Sequence, residues 1–185
     1  MAKKKLLIVL PQNDLLKSEG TMYIGQEAEG LITRMAEYIK NFKGDRVFIL
    51  DEHERNSVEF GLTQPHCIVG TWGCNIVDEI SKLDMDEKDG KIIITRKKAF
   101  APMSLGEMKL EGKDDEFHVC GVDLSTDIHD MIVFLNTVFI TQGNFLPKIV
   151  IHEDLVGGKN SDFGQRTLER LRAIYLNIQL NTEER

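Results

Sequence analysis

Along the chain, short apolar segments typical of β-strands alternate with longer segments whose apolar residues recur at helical spacing. A continuous apolar run, as expected for a strand covered on both faces, occupies residues 6–10. Further strands are predicted at 47–50, 92–95, 117–121 and 148–151. Between the first two of these strands, apolar residues recur at helical spacing from Ala28 to Phe42, and Gly44 lies where a helix C-terminal cap is expected. The first fifty residues therefore predict a β–α–β unit with a parallel crossover.

The rest of the chain repeats this alternation. Further helices are predicted at 76–83, at 127–140 with Ser125 or Thr126 as cap, and at 163–178, whereas residues 101–115 show no clear period. Alternating strands and helices predict a Rossmann-like, three-layer α/β/α sandwich around a central parallel sheet of five or six strands. We expect one domain over residues 1–185, with the first two strands adjacent in the sheet.

Composition and charge narrow the functional classes. The 185 residues are 42% hydrophobic and 29% charged, which is ordinary for a globular domain. The net charge of -7 disfavours nucleic acid as a partner. The run Lys3, Lys4, Lys5 is read as a solvated flank of the first strand. Because the apolar runs are short compared with the roughly 18 residues of a membrane helix, we expect a cytoplasmic protein without a membrane partner.

The cysteine count argues against a disulfide framework. The chain has three cysteines, Cys67, Cys74 and Cys120, and Cys67 and Cys74 are too far apart for a CxxC redox pair. We therefore expect buried or idle thiols at all three positions.

Two histidines and an aspartate give the sharpest chemical signal. Asp51 and His53 follow the second predicted strand, where Asp-x-His places two side chains on the same side of an extended backbone. His66 arrives from the loop that follows. One carboxylate and two imidazoles suit zinc, iron or manganese, and three protein ligands leave positions open for water or substrate. On spacing alone, the same residues are also compatible with an ordinary polar surface loop.

Four segments resemble the nicotinamidase/isochorismatase family of cysteine hydrolases. They are LLIVLPQNDL at 6–15, Asp-Glu-His at 51–53, PHCIVGTWG at 65–73 and GVDLSTDI at 121–128. The resemblance implies an isochorismatase-like fold and a metal bound by Asp51, His53 and His66. It further implies zinc as the first choice of divalent ion, with iron or manganese as alternatives, a small-molecule substrate, and assembly into a homo-oligomer.

The same resemblance implies that the catalytic machinery has changed. The family works with Cys, Asp and Lys, but here Asp127 occupies the Cys position and Leu10 occupies the Asp position. In the simplest alignment the Lys position falls on Arg96, although a shift of one or two residues would supply Lys97 or Lys98. Cys67 and Cys120 are not expected to replace the nucleophile. A carboxylate at position 127 is a far poorer acyl acceptor than a thiolate.

Two functions of different classes follow from these substitutions. The first is a metal-dependent hydrolase of a small amide or related C–N substrate, with Asp127 as general base and Glu52 or His129 as substitutes. The second is a catalytically inactive member, a pseudoenzyme that binds a small molecule as a sensor or sequestering module. Positive charge for an anionic or polar ligand would come from Arg96, Lys97 and Lys98. A coincidental metal motif on an ordinary α/β domain is the third reading, and the motifs do not choose among substrates.

Overall fold

The structure, a computed structural model, describes residues 3–100, 110, 116–143 and 145–181. Most of the segment without a clear period, 101–115, thus lies outside the described residues. Six strands form one sheet in the order β3-β2-β1-β4-β5-β6. They are β1 (Lys4–Val9), β2 (Asp45–Asp51), β3 (Ile92–Lys97), β4 (Glu116–Gly121), β5 (Lys148–Val156) and β6 (Ile178–Asn181).

Every neighbouring pair of these strands is parallel. The first strand lies in the middle of the sheet, with Leu7 opposite Val47 of β2 and Val119 of β4. Leu7 is fully buried, as expected for a parallel strand that is covered on both faces. The predicted parallel sheet, and the adjacency of its first two strands, are confirmed.

Helices cover both faces of this sheet. Tyr38 contacts His118 of β4 from one face, whereas Phe139 packs against Phe117, whose side chain points to the other face. The helices are α1 (Asn13–Leu16), α2 (Glu27–Asn41), α3 (Asp78–Ser81), α4 (His129–Val138) and α5 (Ser161–Ile174). The predicted three-layer α/β/α class is confirmed. Among the described residues, no helix has the length and apolar character needed to cross a membrane.

The predicted last helix is wrong at its C-terminal end. It was expected to reach residue 178, but α5 ends at Ile174 and Tyr175 is extended. Ile178 instead begins β6, where it lies opposite Ile149 of β5. The reason is a change of period: from Ile178, apolar and polar residues alternate, which suits a strand at the edge of a sheet.

Three smaller expectations also change. Lys5 was expected to be solvated, but it lies inside β1 and is only 4% exposed, while Lys3 and Lys4 are exposed. The helix predicted at 76–83 contracts to Asp78–Ser81. The cap near residue 125 is Asp123, whose side chain accepts a hydrogen bond from the backbone N–H of Ser125. It precedes a widened turn, Leu124–Ile128, that leads into α4.

Candidate metal centre

Asp51, His53 and His66 converge at the carboxyl edge of the sheet. Asp51 is the last residue of β2 and His53 follows two residues later, so both side chains project to the same side. One donor atom from each of the three residues lies within 4.8 Å of the others. His66 Nε2 is 3.2 Å and His53 Nε2 is 3.8 Å from Asp51 Oδ2. All three residues are buried.

The bonding state of the two histidines fits a metal ligand set. Both ring nitrogens of His53 are buried, and neither has a hydrogen-bond partner among the residues that the structure describes. His66 Nδ1 lies 2.8 Å from the carbonyl oxygen of Gln64, to which it can donate while its Nε2 faces Asp51. A buried imidazole without partners is costly, and a bound divalent ion would supply the missing bond.

Gln12 holds Asp51 in place through the backbone. The Gln12 side chain is fully buried, donates to the carbonyl oxygen of Asp51 at 2.8 Å, and accepts from the Asp51 backbone N–H at 2.8 Å. It also donates to the carbonyl oxygen of Cys74 at 2.8 Å. One amide thus ties β2 to the end of the metal-binding loop. The sequence interpretation did not assign it this role.

Asp14 holds the loop that carries His66. Its Oδ2 accepts a hydrogen bond from the Cys67 backbone N–H at 2.7 Å, and its carboxylate lies so close to Gly73 that a side chain there would collide with it. His53 joins the same loop, since its N–H donates to the Cys67 carbonyl oxygen at 3.1 Å. The sequence signal for this role was the polar run at 12–14, which comes shortly after the core strand β1. The structure buries all three of its residues.

Lys97 links the ligand set to Asp127. Its Nζ donates to Asp51 Oδ1 and to Asp127 Oδ1, both at 2.6 Å, so the two carboxylates are within two hydrogen-bond lengths of each other. Asp127 Oδ2 accepts from the Thr126 hydroxyl at 2.9 Å. All three charged groups are buried, which makes the ammonium essential for neutralising the two acids.

The electrostatics of this group follow from burial and from Lys97. Burial raises the pKa of Asp127 above its ordinary value, and the lowering by Lys97 does not cancel it. Burial alone would raise the pKa of Asp51, but the two histidine rings and Lys97 outweigh it, and the pKa lies below its usual range. Burial alone would lower the pKa of Lys97, but the carboxylates of Asp51 and Asp127 outweigh it. The pKa lies above its ordinary value, so the ammonium stays protonated.

Solved structures of known enzymes match this architecture over nearly the whole chain. A nicotinamidase/pyrazinamidase from Bacillus subtilis matches at 21% identity and a TM-score of 0.76, covering 97% of this chain and 100% of that one. A zinc complex of a pyrazinamidase from Pyrococcus horikoshii matches at 22% identity and a TM-score of 0.74, covering 98% of this chain and 99% of that one. An N-carbamoylsarcosine amidase from Thermoplasma acidophilum matches at 16% identity and a TM-score of 0.73, covering 99% of this chain and 98% of that one.

The chain has the nicotinamidase fold, which it shares with isochorismatase-like hydrolases. No protein-family model matches the sequence, and no curated protein matches it either. The likeness of backbone therefore extends much further than the likeness of sequence.

Within the nicotinamidase fold, the structure separates the three candidates for the basic position. Lys97 is the one that reaches Asp51 and Asp127. Arg96, the choice of the simplest alignment, projects from the opposite side of β3. It pairs with Glu52 at 2.5 Å, and half of its side chain is exposed. Lys98 is exposed. Strand β3 extends through residue 97, so alternation turns Lys97 inward and Arg96 outward.

Two other sequence candidates are drawn away from the ligand set. Glu52 is engaged by Arg96, as described above. His129 pairs with the adjacent Asp130 at 2.7 Å, and its side chain is 23% exposed.

Leu10 occupies the position where the family resemblance implies a proton-accepting Asp. Leu10 directly follows β1, is 1% exposed, and donates its backbone N–H to the Ile49 carbonyl oxygen at 2.9 Å. Its side chain has no atom that can accept a proton.

The thiols are equally unsuited to nucleophilic attack. Cys67 and Cys120 are buried, and burial raises the pKa of both well above the ordinary value. Cys74 is half-buried, and burial again raises its pKa. A thiolate nucleophile needs the opposite environment, one that lowers the thiol pKa.

Glu59 is a further charged group that the sequence interpretation missed. It is half-buried in the turn Val58–Gly61, and its Oε2 is buried without a hydrogen-bond partner among the described residues. Burial raises its pKa. The adjacent Phe60 packs against His53 and His66, with ring centroids 5.3 and 5.9 Å apart. The sequence signal for Glu59 was its position next to Phe60, between the candidate ligands His53 and His66.

A cavity of about 470 Å³ opens beside this turn. Val58, Leu62 and Phe100 form apolar parts of its wall, and Glu59 and Lys98 add one charge of each sign. Its size lies within the range of small-molecule sites.

Proposed function

We propose that this chain is a divergent member of the nicotinamidase/isochorismatase family that hydrolyses a small amide or related C–N substrate by metal-dependent, thiol-independent chemistry. The observation that carries the proposal is the buried Asp51–His53–His66 donor cluster, in which His53 has two buried nitrogens without a partner among the described residues. The motifs at 51–53 and 65–73 and the shared fold support family membership.

The ligands would be Asp51, His53 and His66, with zinc as the first candidate and iron or manganese as alternatives. A divalent ion held by these residues would supply Lewis-acid chemistry: it would polarise a substrate carbonyl and lower the pKa of water. Gln64 orients His66, Gln12 orients Asp51, and Lys97 neutralises the Asp51 oxygen that faces it.

Asp127 is the group that would accept the proton. It lies beside the ligand set, and its raised pKa brings it closer to the pH at which a general base is most effective. Lys97 and Thr126 fix the orientation of its carboxylate through both oxygens. The cavity beside Glu59 and Phe100 would take the body of a small substrate.

One observation favours the second function, binding without turnover. Both oxygens of Asp127 already accept hydrogen bonds, and Leu10 supplies no acceptor in their place. A donor that already engages a carboxylate weakens it as a base. The same pocket would then hold a small polar molecule at the metal as a sensor or sequestering module.

The deciding experiment follows the loss of nicotinamide and of a small amide panel over time. Samples are the zinc-loaded chain, the chain with chelator, and the chain treated with iodoacetamide. We expect hydrolysis that chelator abolishes and alkylation leaves intact. Asp127→Asn should lower the rate at least about tenfold with unchanged metal content, whereas the matched Asp130→Asn should not.

The other outcomes are equally decisive. Metal-dependent ligand binding without turnover would establish the binding function instead. Hydrolysis that iodoacetamide blocks would show that a thiol is the nucleophile and would overturn the proposal.

A further inference from the structure

A second cavity lies at the amino edge of the sheet, opposite the edge that carries the metal ligands. Its volume is about 710 Å³. Five lysines contribute to its wall: Lys3, Lys4, Lys43, Lys88 and Lys91. This concentration of positive charge departs from the whole chain, whose net charge is -7.

The parallel topology explains why the lysines meet. Strands β1, β2 and β3 all begin at this edge; Lys4 is the first residue of β1, and Lys91 directly precedes β3. Two turns close the floor of the cavity. A side chain at Gly90 would place its Cβ 2.1 Å from the carbonyl oxygen of Gly44, and Gly90 has a φ of +146°. Glycine is therefore needed for this close approach of the two turns.

Two acidic residues, Asp45 and Asp89, also line the cavity, and both accept hydrogen bonds. Asp45 accepts the backbone N–H of Lys91 at 2.9 Å, and Asp89 pairs with Lys43 at 2.6 Å. Glu116, which lies opposite Lys4 in the sheet, pairs with Lys148 at 2.8 Å.

The ammonium groups of four of the five lysines lack a hydrogen-bonded carboxylate among the described residues. Lys88 has Asp86 at 3.9 Å, too far for a hydrogen bond. No carboxylate within salt-bridge distance of Lys3, Lys4 or Lys91 is found among residues 3–100, 110, 116–143 and 145–181. With five lysines and two aspartates, the described lining of the cavity carries an excess of three positive charges.

We propose that this cavity binds a small polyanion carrying two or more phosphate groups. Lysine ammonium groups bind phosphate as compact point charges, and several of them around one cavity favour a ligand with several negative charges. The volume lies within the range of small-molecule sites. A long polynucleotide is disfavoured because the remaining surface carries the excess negative charge.

The test titrates inorganic tripolyphosphate by calorimetry, at about 50 mM salt, into the full chain after its metal has been removed. The double variant Lys4→Gln/Lys91→Gln should bind at least about tenfold more weakly, since each lost contact removes a charge-assisted interaction. The matched control is Lys82→Gln/Lys159→Gln, which removes the same amount of charge from two exposed lysines elsewhere on the surface. Its affinity should stay within about twofold of the unmodified chain.

Four outcomes would overturn the proposal. They are the absence of binding, an equal loss in both double variants, a loss of binding in His53→Ala, and tighter binding of a ten-nucleotide single strand than of tripolyphosphate. The second would indicate diffuse charge, and the third would place the anion at the metal centre. Binding retained by His53→Ala and lost in Lys4→Gln/Lys91→Gln supports the proposal.

Discussion

Two buried histidine clusters on one sheet differ in how their nitrogens are satisfied. The first comprises Asp51, His53 and His66 at the carboxyl edge. The second comprises Tyr38, His118 and His152, between α2 and the sheet. Both are rich in imidazole and nearly closed to solvent.

In the second cluster the two rings bond to each other. His118 Nδ1 and His152 Nε2 are 2.8 Å apart, the ring centroids are 5.1 Å apart, and the ring planes differ by 21°. The centroid separation is close to the N···N distance plus the two ring radii, so the nitrogens point along nearly one line. Tyr38 Oη lies 2.9 Å from His152 Nε2. One of the two facing nitrogens donates its N–H to the lone pair of the other, so neither offers a lone pair to an ion.

The first cluster has the opposite arrangement. The rings of His53 and His66 are tilted by 59°, with centroids 4.8 Å apart, and neither nitrogen of His53 has a described hydrogen-bond partner. Residue type alone therefore does not identify a metal site.

In the second cluster, His118 Nε2 lies 2.8 Å from Glu116 Oε1 and His152 Nδ1 lies 3.3 Å from Asn181 Nδ2. Each ring nitrogen there has a polar neighbour within hydrogen-bond distance, whereas neither nitrogen of His53 has one among the described residues.

The largest expected effect is on divalent metal binding. His53→Ala should weaken zinc binding at least about a thousandfold, which corresponds to about 4 kcal/mol, because one of three protein ligands is lost. His118→Gln, the matched change in the second cluster, should leave the zinc affinity within about threefold. Competition against a chromophoric chelator measures both. Equal losses in the two variants would break the distinction between the clusters.

The next effect concerns the charge that holds the first cluster together. Lys97→Met leaves Asp51 and Asp127 buried without their ammonium, so the free energy of unfolding of the metal-free chain should fall by about 3 kcal/mol. Lys98→Met, the exposed neighbour, should change it by less than about 0.5 kcal/mol. Urea unfolding measures both. Adding Asp127→Asn to Lys97→Met should recover part of the loss, and a purely additive further loss would show that the two side chains are not coupled.

A smaller effect is expected from pH at the second cluster. Burial lowers the pKa of His118 below its ordinary value, so the native chain resists a proton that the unfolded chain takes up. This contribution is fully present above the unfolded pKa of about 6.5 and is lost as pH falls through the lower native value. It amounts to at most about 1.4 kcal/mol per pH unit.

Unfolding by urea at pH 7.5 and pH 5.5 measures this contribution. His118→Gln should lose less stability between the two pH values than the unmodified chain does. An equal or larger loss in the variant would contradict the assignment of the pH effect to His118.

The smallest expected effect is that of Asp127→Cys alone. Amide hydrolysis dependent on the new thiol should stay at background, because Leu10 still offers no proton acceptor beside it. The double variant Asp127→Cys/Leu10→Asp restores both groups and is the matched comparison against nicotinamide. Hydrolysis by the single variant that iodoacetamide blocks would show that another acceptor serves the site.

Much of the architecture follows from local pattern. Short segments rich in apolar residues predicted five of the six strands, and the helical period from Ala28 to Phe42 predicted α2. The sixth strand was missed because Ile178 continues the helical spacing of Leu168, Leu171 and Tyr175. Pairing with β5 decides the conformation at Ile178, and a single-sequence period does not reveal that pairing.

For the candidate site, the sequence by itself determined that Asp51 and His53 project together, because alternation along an extended backbone is a local property. It also determined that Leu10 and Asp127 carry no thiol chemistry. Tertiary structure alone decided that Lys97 rather than Arg96 reaches the two acids, because that choice depends on where β3 ends. It likewise decided that Gln12 and Asp14 hold the loops and that neither nitrogen of His53 has a described hydrogen-bond partner. Those contacts join residues far apart in the chain, and their energies depend on burial that only the assembled sheet creates.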